Sequence, residues 1–221
     1  MVNKLNKFKH SYATRAGVTL TEAFMFSPVF MHLFPDERRR RAILSSLFPV
    51  MIRMLHAIGT VYVTSDRVEG LMCLRRHGSV RQKSTLALFI ARLAVMLPGL
   101  ILKDSPRQLL RRIKGMKEAN TALDEYKKMH RDFAVLDAVA VHPQHQGKGL
   151  FSILMRSVLE DVERTGSFCV LQTETETNSR IYQHAGFQLV RSFPCAGGAF
   201  TTYVLLYDPH GLTKISTDDS Q

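Results

Sequence analysis

The first third of the chain alternates between helical and strand-like spacing of its apolar residues. A short helix is predicted over Thr19–Phe26, and the apolar spacing over Asp36–Ile58 predicts a longer one. Pro49 lies inside the longer pattern and is expected to kink or split that helix. Thr60–Thr64 and Val68–Leu74 are rich in β-branched and apolar residues on either side of a turn, so they predict a hairpin.

The middle of the chain contains its longest apolar run. Helical spacing over 81–97 and 106–129 predicts two helices, separated by Pro98 and Gly99. The run Thr85–Leu102 is interrupted and is short for a bilayer, so we expect a buried or half-buried helix and no membrane span. Such a segment could also cover a substrate or form the face of a homodimer.

The rest of the chain follows the order strand, turn, helix, strand, helix, strand, strand. Phe133–Val141 predicts a strand that Pro143 ends, and Gly147–Thr165 has the apolar face of an amphipathic helix. The further predictions are a strand over Phe168–Glu174, a helix capped by Asn178 and closed by Gly186, strands over Phe187–Arg191 and Phe200–Tyr207, and a mobile tail over 208–221.

The turn between the strand and the long helix carries the most specific chemistry. It contains Gln144, Gly147 and Gly149 in the spacing Q-x-x-G-x-G and leads directly into the helix. The first N–H groups of a helix have no partner within it and favour anions, so this order predicts a site for a phosphate-bearing ligand. The spacing matches neither the ATP-binding P-loop nor the dinucleotide fingerprint.

This pattern resembles motif A of the GNAT superfamily of acetyl-CoA-dependent N-acetyltransferases. The downstream residues Asn178, Tyr182 and Gly186-Phe187 resemble the second motif of that family, and the likeness covers residues 133–207. Within the superfamily, the runs HPQHQGKGL and LQTETETNSRIYQHAGF are most similar to puromycin N-acetyltransferase-like enzymes.

The resemblance implies an α/β (α+β) fold in which helices flank a mixed, mostly antiparallel sheet. It implies one domain over 1–221, with a helical insertion at about 81–130 before the central strand and a CoA-binding core at 133–207. The family usually begins with a strand, but residues 1–16 show only a weak strand pattern, so that strand is expected to be short or missing.

The same resemblance assigns candidate roles to particular residues. The central strand is expected to part from Val170–Thr173 and bind the pantetheine amides, with the Val139 amide near the thioester carbonyl. Tyr182 is expected to protonate the leaving thiolate, and either Asp137 or Glu174 could be the base, unless water serves instead. The predicted acetyl-CoA contacts are Val139, Ala140, Val141, Gln146, Gly147, Lys148, Gly149, Leu150, Phe151, Asn178 and Tyr182.

Composition adds limits on the compartment and on metals. The three cysteines form no pair at metal-ligand or redox spacing, and the start of the chain lacks a signal-peptide pattern, so a cytoplasmic location is expected. His142 and His145 flank a proline without a nearby cysteine or carboxylate, so no metal is expected.

Charge is unevenly distributed. Residues 1–132 hold 24 Lys and Arg against 10 Asp and Glu, a balance of +14, whereas 133–221 have a balance of −3. The basic half could attract anionic partners, but solvated helix faces are the favoured explanation. No nucleic-acid motif is present, and no nucleic-acid partner is expected.

Together these features favour transfer of acetyl from acetyl-CoA to a primary amine of a small molecule by direct attack on the thioester. The alternatives are a protein or peptide N-acetyltransferase and a CoA-binding module without catalysis, because a fold does not fix a function.

Overall fold

The computed structural model describes residues 5–77 and 133–213 and, between them, residues 111–117, 121, 123, 124 and 126. Its seven strands are β1 (Asn6–Lys7), β2 (Thr60–Val63), β3 (Gly70–Arg76), β4 (Ala134–Val141), β5 (Cys169–Thr173), β6 (Gln188–Cys195) and β7 (Phe200–Tyr207). Its helices are α1 (Ala13–Phe24), α2 (Pro28–Leu33), α3 (Glu37–Ile58), α4 (Leu150–Thr165) and α5 (Glu176–His184). Three short 3-10 turns lie at His10–Tyr12, Pro143–His145 and Ala196–Gly198.

All seven strands form one sheet in the order β1-β2-β3-β4-β5-β7-β6. Five of its six pairings are antiparallel, and only β4 and β5 run parallel. The predicted mixed, mostly antiparallel sheet flanked by helices is therefore confirmed. The predicted helix at 81–97 and the apolar run Thr85–Leu102 lie outside the described residues. Within the predicted helix at 106–129, residues 111–114, 117, 121, 124 and 126 are helical.

Helices cover both faces of the sheet. The first face is packed by α1 and α3, whose buried residues meet Val61, Leu71 and Ala140. The second face is packed by α4, whose apolar stripe, with Leu154 and Val158, meets residues of β3, β4, β5 and β7. The sheet therefore separates the α1 and α3 side of the protein from the α4 side. A ligand can extend from one side to the other only where neighbouring strands part.

The first two helices differ from the sequence prediction. The helix predicted from Thr19 begins six residues earlier, at Ala13, because Ala13, Ala16 and Gly17 also face the core. The six-residue helix α2 was not predicted at all. Its short apolar sequence has no periodicity to read, and Pro28 at its first position was the one available signal.

Pro49 was expected to kink or split the long helix α3; the helix runs through Pro49 as one element, so the expected split is wrong. Asp36 caps it by accepting a hydrogen bond from the Arg39 N–H at 2.8 Å. Pro49 lies against α1, where a Cβ added at Gly17 would meet the proline Cγ at 2.4 Å. By length and composition α3 could also cross a membrane, a property that core helices of soluble proteins share.

The first strand expected from the family resemblance is present but has only two residues, which pair with Val63 and Tyr62 of β2. All three cysteines of the chain are buried and free: Cys73 in β3, Cys169 in β5 and Cys195 at the end of β6.

Candidate active site

The two parallel strands part soon after they begin. β4 and β5 pair only at Ala134 with Cys169 and at Val135 with Val170, although both strands continue beyond these residues. The pairing of β4 with β3 skips Asp137, since Leu74 pairs with Leu136 and the preceding Cys73 pairs with Ala138. Such a bulge bends a strand. The bulge also changes the side of the sheet to which the following side chains point. Leu136 packs with α4, whereas Ala138, two residues later, packs with α1 and α3.

The backbone of β4 beyond the bulge presents hydrogen-bonding groups to this opening. The His142 N–H donates to Glu69 O at 2.8 Å on the β3 side, and the direction of these groups alternates along a strand. The N–H and C=O groups of Val139 and Val141 therefore face β5, whereas those of Ala140 face β3. Of the three predicted strand contacts, two are placed at the opening and Ala140 is not.

The turn Pro143–Gly149, called the glycine turn below, lies at the end of β4. Gly147 and Gly149 have φ of +74° and +75°, a conformation that side chains disfavour. A Cβ added to either residue would meet no described atom within 4 Å, so open space lies above the turn. Gly149 caps α4 without a side-chain hydrogen bond.

The amides of the glycine turn are available to an anion. Among the described residues, no acceptor takes a hydrogen bond from the backbone N–H groups of 147–151. The Gln146 N–H, also predicted to bind phosphate, instead donates to Pro143 O at 3.3 Å. The Lys148 ammonium adds positive charge beside the turn, 3.1 Å from Gln144 O.

Tyr182 is held at the opening by aromatic packing. Its ring lies 5.5 Å from that of Phe151 and 5.9 Å from that of Phe187, both edge-on. Burial raises the pKa of the Tyr182 phenol, and the nearby Glu174 carboxylate raises it further. The phenol therefore keeps its proton at neutral pH and can act as a donor.

Glu174 follows β5 directly and is half-buried. Burial raises the pKa of its carboxyl to about 7, although a backbone hydrogen bond opposes the shift. At neutral pH this group is therefore divided between its protonated and ionised forms, which is the condition for a proton acceptor working near pH 7.

The other predicted base, Asp137, is already paired. Both of its oxygens accept from the Arg75 guanidinium, at 2.6 and 2.7 Å. This bidentate pair raises the pKa of Arg75 and ties the bulge of β4 to β3. Asp137 is therefore held in an ion pair, whereas the pKa of Glu174 lies near 7, as expected of a base.

Asn178 does not cap α5 as predicted. Thr175 is the cap, and its Oγ1 accepts from the Asn178 N–H at 3.2 Å. Asn178 is the third residue of the helix and is exposed. Gly186 follows the helix end as predicted, with φ of +101° and its N–H on Gln183 O at 3.0 Å.

A pocket of about 380 Å³ lies beside Glu174, and the sequence did not predict it. We call it the α2–β7 pocket, after the elements that form its walls. Its lining includes Met31 and His32 from α2, Phe200, Thr201 and Tyr203 from β7, and Glu174. A larger open groove, of about 640 Å³, runs between α4 and α5 and includes none of the candidate catalytic residues. Among the described residues, no three metal-ligating side chains come together.

Comparisons with known proteins bear on the family and the fold. A family model of the acetyltransferase (GNAT) domain matches residues 108–189. No curated protein matches the sequence.

Several solved structures share the fold across nearly the whole chain. A "histone acetyltransferase HPA2 and related acetyltransferase" from Corynebacterium glutamicum is 16% identical, with 95% of this chain and 97% of that chain covered and a TM-score of 0.64. Arylalkylamine N-acetyltransferase 2 from Aedes aegypti is 12% identical over 93% and 98%, with a TM-score of 0.60. Polyamine N-acetyltransferase from Drosophila melanogaster is 14% identical over 93% and 99%, with a TM-score of 0.54.

At these identities the structural likeness shows the fold. The domain match and the shared fold together support the conclusion that the protein is an N-acetyltransferase.

Proposed function

We propose that this protein transfers the acetyl group of acetyl-CoA to a primary amine of a small molecule by direct attack on the thioester. The observation that carries the proposal is the opening between β4 and β5, with unpaired amides at one end and Glu174 and Tyr182 at its mouth. The named activities of two proteins with the same fold, polyamine and agmatine N-acetyltransferases, also support a small-molecule amine.

In this proposal the glycine turn holds the pyrophosphate of the cosubstrate. The N–H groups of 147–151 donate to the phosphate oxygens, and the N-terminus of α4 favours their negative charge. The backbone groups of Val139 and Val141 pair with the pantetheine amides as a neighbouring strand would. The Val139 N–H can then stabilise the charge that develops on the thioester oxygen.

In this proposal Glu174 accepts a proton and Tyr182 donates one. The Glu174 carboxylate takes a proton from the ammonium form of the acceptor, which leaves a nitrogen lone pair free to attack the carbonyl carbon. The bond from carbon to nitrogen forms as the bond from carbon to sulfur breaks. The departing sulfur takes the Tyr182 proton, and the second proton lost by the nitrogen replaces it, directly or through water.

The narrower proposal concerns the acceptor. Similarity to the puromycin N-acetyltransferase-like enzymes favours an amino-nucleoside, an aminoacyl compound or a related amine. The α2–β7 pocket is the proposed acceptor site because Glu174 lines it, so an amine bound there lies next to the proposed base.

The test is a panel of amines assayed for release of the CoA thiol, with calorimetric titration of acetyl-CoA alongside. We expect binding of acetyl-CoA and faster thiol release with at least one small amine. Binding without release on any amine or peptide would identify a non-catalytic CoA-binding module. Release with peptides but no small amine would identify a peptide N-acetyltransferase.

A further inference from the structure

The α2–β7 pocket differs from a site for a polycation. Among the described residues that line it, Glu174 is the one carboxylate, and most of the others are apolar or aromatic. A second ammonium group bound there would meet no opposite charge, and burying an unpaired charge is costly. With a net charge of +11, the chain also repels polycations at a distance. The lining therefore fits an acceptor with a single amino group and an apolar body.

The volume of the pocket also fits a small acceptor with an apolar body. At about 380 Å³ it lies near the lower end of small-molecule sites, which span roughly 300–1,000 Å³. Phe200 and Tyr203 supply the flat apolar surfaces on which a ring can pack.

His32 adds a polar feature to this lining. Its ring meets that of Phe200 edge-on at 6.1 Å, and its Nε2 is buried without a hydrogen-bond partner among the described residues. A buried polar atom without a partner destabilises the state that contains it. The nitrogen has no exposed surface, so a ligand hydroxyl or carbonyl reaches it when the ring turns towards the pocket, and the hydrogen bond then removes that cost because an imidazole nitrogen donates or accepts according to its tautomer.

We infer that His32 sets acceptor specificity: the α2–β7 pocket takes a monoamine with an apolar ring and a neutral hydrogen-bonding group, which His32 binds. This inference rests on the proposed function and specifies its substrate class. His32 contacts the part of the acceptor that does not react, so it controls which amines are used and leaves acetyl-CoA binding unchanged.

The test compares two amines that differ by one hydroxyl group, tyramine and phenethylamine, in wild type and in His32→Phe. Phenylalanine keeps the edge contact with Phe200 and removes the ring nitrogens. Wild type is expected to favour tyramine in kcat/KM by about tenfold, and the variant to lose that preference. His32→Gln retains a hydrogen-bonding group at this position and is expected to keep part of the preference for tyramine.

His56→Phe is the matched control. His56 also has a buried ring nitrogen, Nδ1, without a partner among the described residues, but it lies on α3 against Phe8 and His10. This variant should show the wild-type ratio. Melting temperatures and the KM for acetyl-CoA show whether either change acts through folding.

The outcomes distinguish a failure of the inference about His32 from a failure of the proposed function. An unchanged preference in His32→Phe, no preference in wild type, or turnover of agmatine or spermidine without either monoamine overturns the inference about His32 and leaves the proposed function standing. No thiol release with any amine, although acetyl-CoA binds, overturns the proposed function itself.

Discussion

The glycine turn and the α2–β7 pocket lie on either side of the same opening, yet they are built in different ways. The glycine turn is a continuous run of seven residues whose geometry depends on two glycines with positive φ. The α2–β7 pocket combines α2, the end of β5 and β7, which lie far apart in the sequence. One site is encoded locally, and the other exists only after the chain has folded.

This difference separates two kinds of functional residue. A backbone site requires a particular conformation, so a substitution acts by changing the backbone or by filling the space above it. A side-chain pocket depends on which groups meet, so a substitution there changes selectivity or proton transfer while the fold remains. The following experiments test whether the two regions behave in these two ways.

The largest effect is expected at the glycine turn. Gly149→Val places a branched side chain in the space that the phosphates would occupy, at a φ that valine disfavours. We expect acetyl-CoA binding to weaken on the order of 10³-fold, through the loss of several hydrogen bonds to a charged ligand. Calorimetric titration measures this change.

Gly166→Val is the control, because Gly166 has φ of +59° and open space at the other end of the same helix. Both variants should lose roughly 1–3 kcal/mol of stability from backbone strain, whereas only Gly149→Val should lose binding. Equal affinities in the two variants would refute the assignment of the phosphate site.

Tyr182→Phe tests the side-chain chemistry at the mouth of the opening. Removing the phenol should lower kcat on the order of 10²-fold while the dissociation constant of acetyl-CoA changes little. Tyr207→Phe serves as the control, since the Tyr207 hydroxyl instead donates to Glu163, at 2.6 Å. If Tyr182→Phe retains wild-type kcat, another group protonates the thiolate.

Glu174→Gln should lower kcat/KM at pH 7 on the order of 50-fold, because about half of the wild-type carboxylates are ionised there. In wild type, kcat/KM should rise as the pH rises through about 7, and this rising limb of the pH–activity profile should vanish in Glu174→Gln. Glu176→Gln, which alters an exposed residue paired with Arg180, should keep the limb. A wild-type limb in Glu174→Gln would exclude Glu174 as the base.

The stability of the wild-type protein should fall over the same pH range in which its activity rises. An unfolded glutamate titrates near 4.5, whereas folded Glu174 holds its proton to about 7, so the free energy of unfolding falls as pH rises between these values. Glu174→Gln removes this loss and should stabilise the protein above pH 7, by at most roughly 3 kcal/mol. Denaturant unfolding at pH 5 and pH 8 measures the difference.

The smallest catalytic effect is expected for Asp137→Asn. Because Asp137 binds Arg75 in a bidentate pair, the change should weaken the bulge and lower the melting temperature. It should reduce kcat by less than about tenfold, well below the effect of Glu174→Gln, with an unaltered pH profile. A larger loss than that of Glu174→Gln would reverse the assignment of the base.

The same contrast explains how far the sequence could be interpreted. The strand, glycine turn and helix from β4 to α4 were predictable because their signals are local: apolar periodicity, a proline and two glycines. The pairing of Asp137 with Arg75 was not, since it joins residues 62 positions apart. The start of α1 was missed because small residues such as Ala13 and Gly17 give weak periodicity although they are buried.

The α2–β7 pocket was beyond prediction for a related reason. Glu174 was a candidate because it ends the predicted strand Phe168–Glu174, but its raised pKa comes from burial in the folded chain, beside residues remote in sequence. His32 carried no sequence signal, because a lone histidine on a short apolar helix has no spacing to interpret. Its relevance comes from its unpartnered nitrogen and its place in the pocket wall.

The three buried cysteines have a practical consequence for measuring this chemistry. Aromatic disulfide reagents detect free CoA by reacting with thiolates, and a protein's own thiols often contribute a background. Here Cys73, Cys169 and Cys195 are all fully enclosed, and burial raises the pKa of the first two. The folded protein should therefore be silent towards such a reagent, so thiol release can be followed continuously, and a rising protein signal would report unfolding.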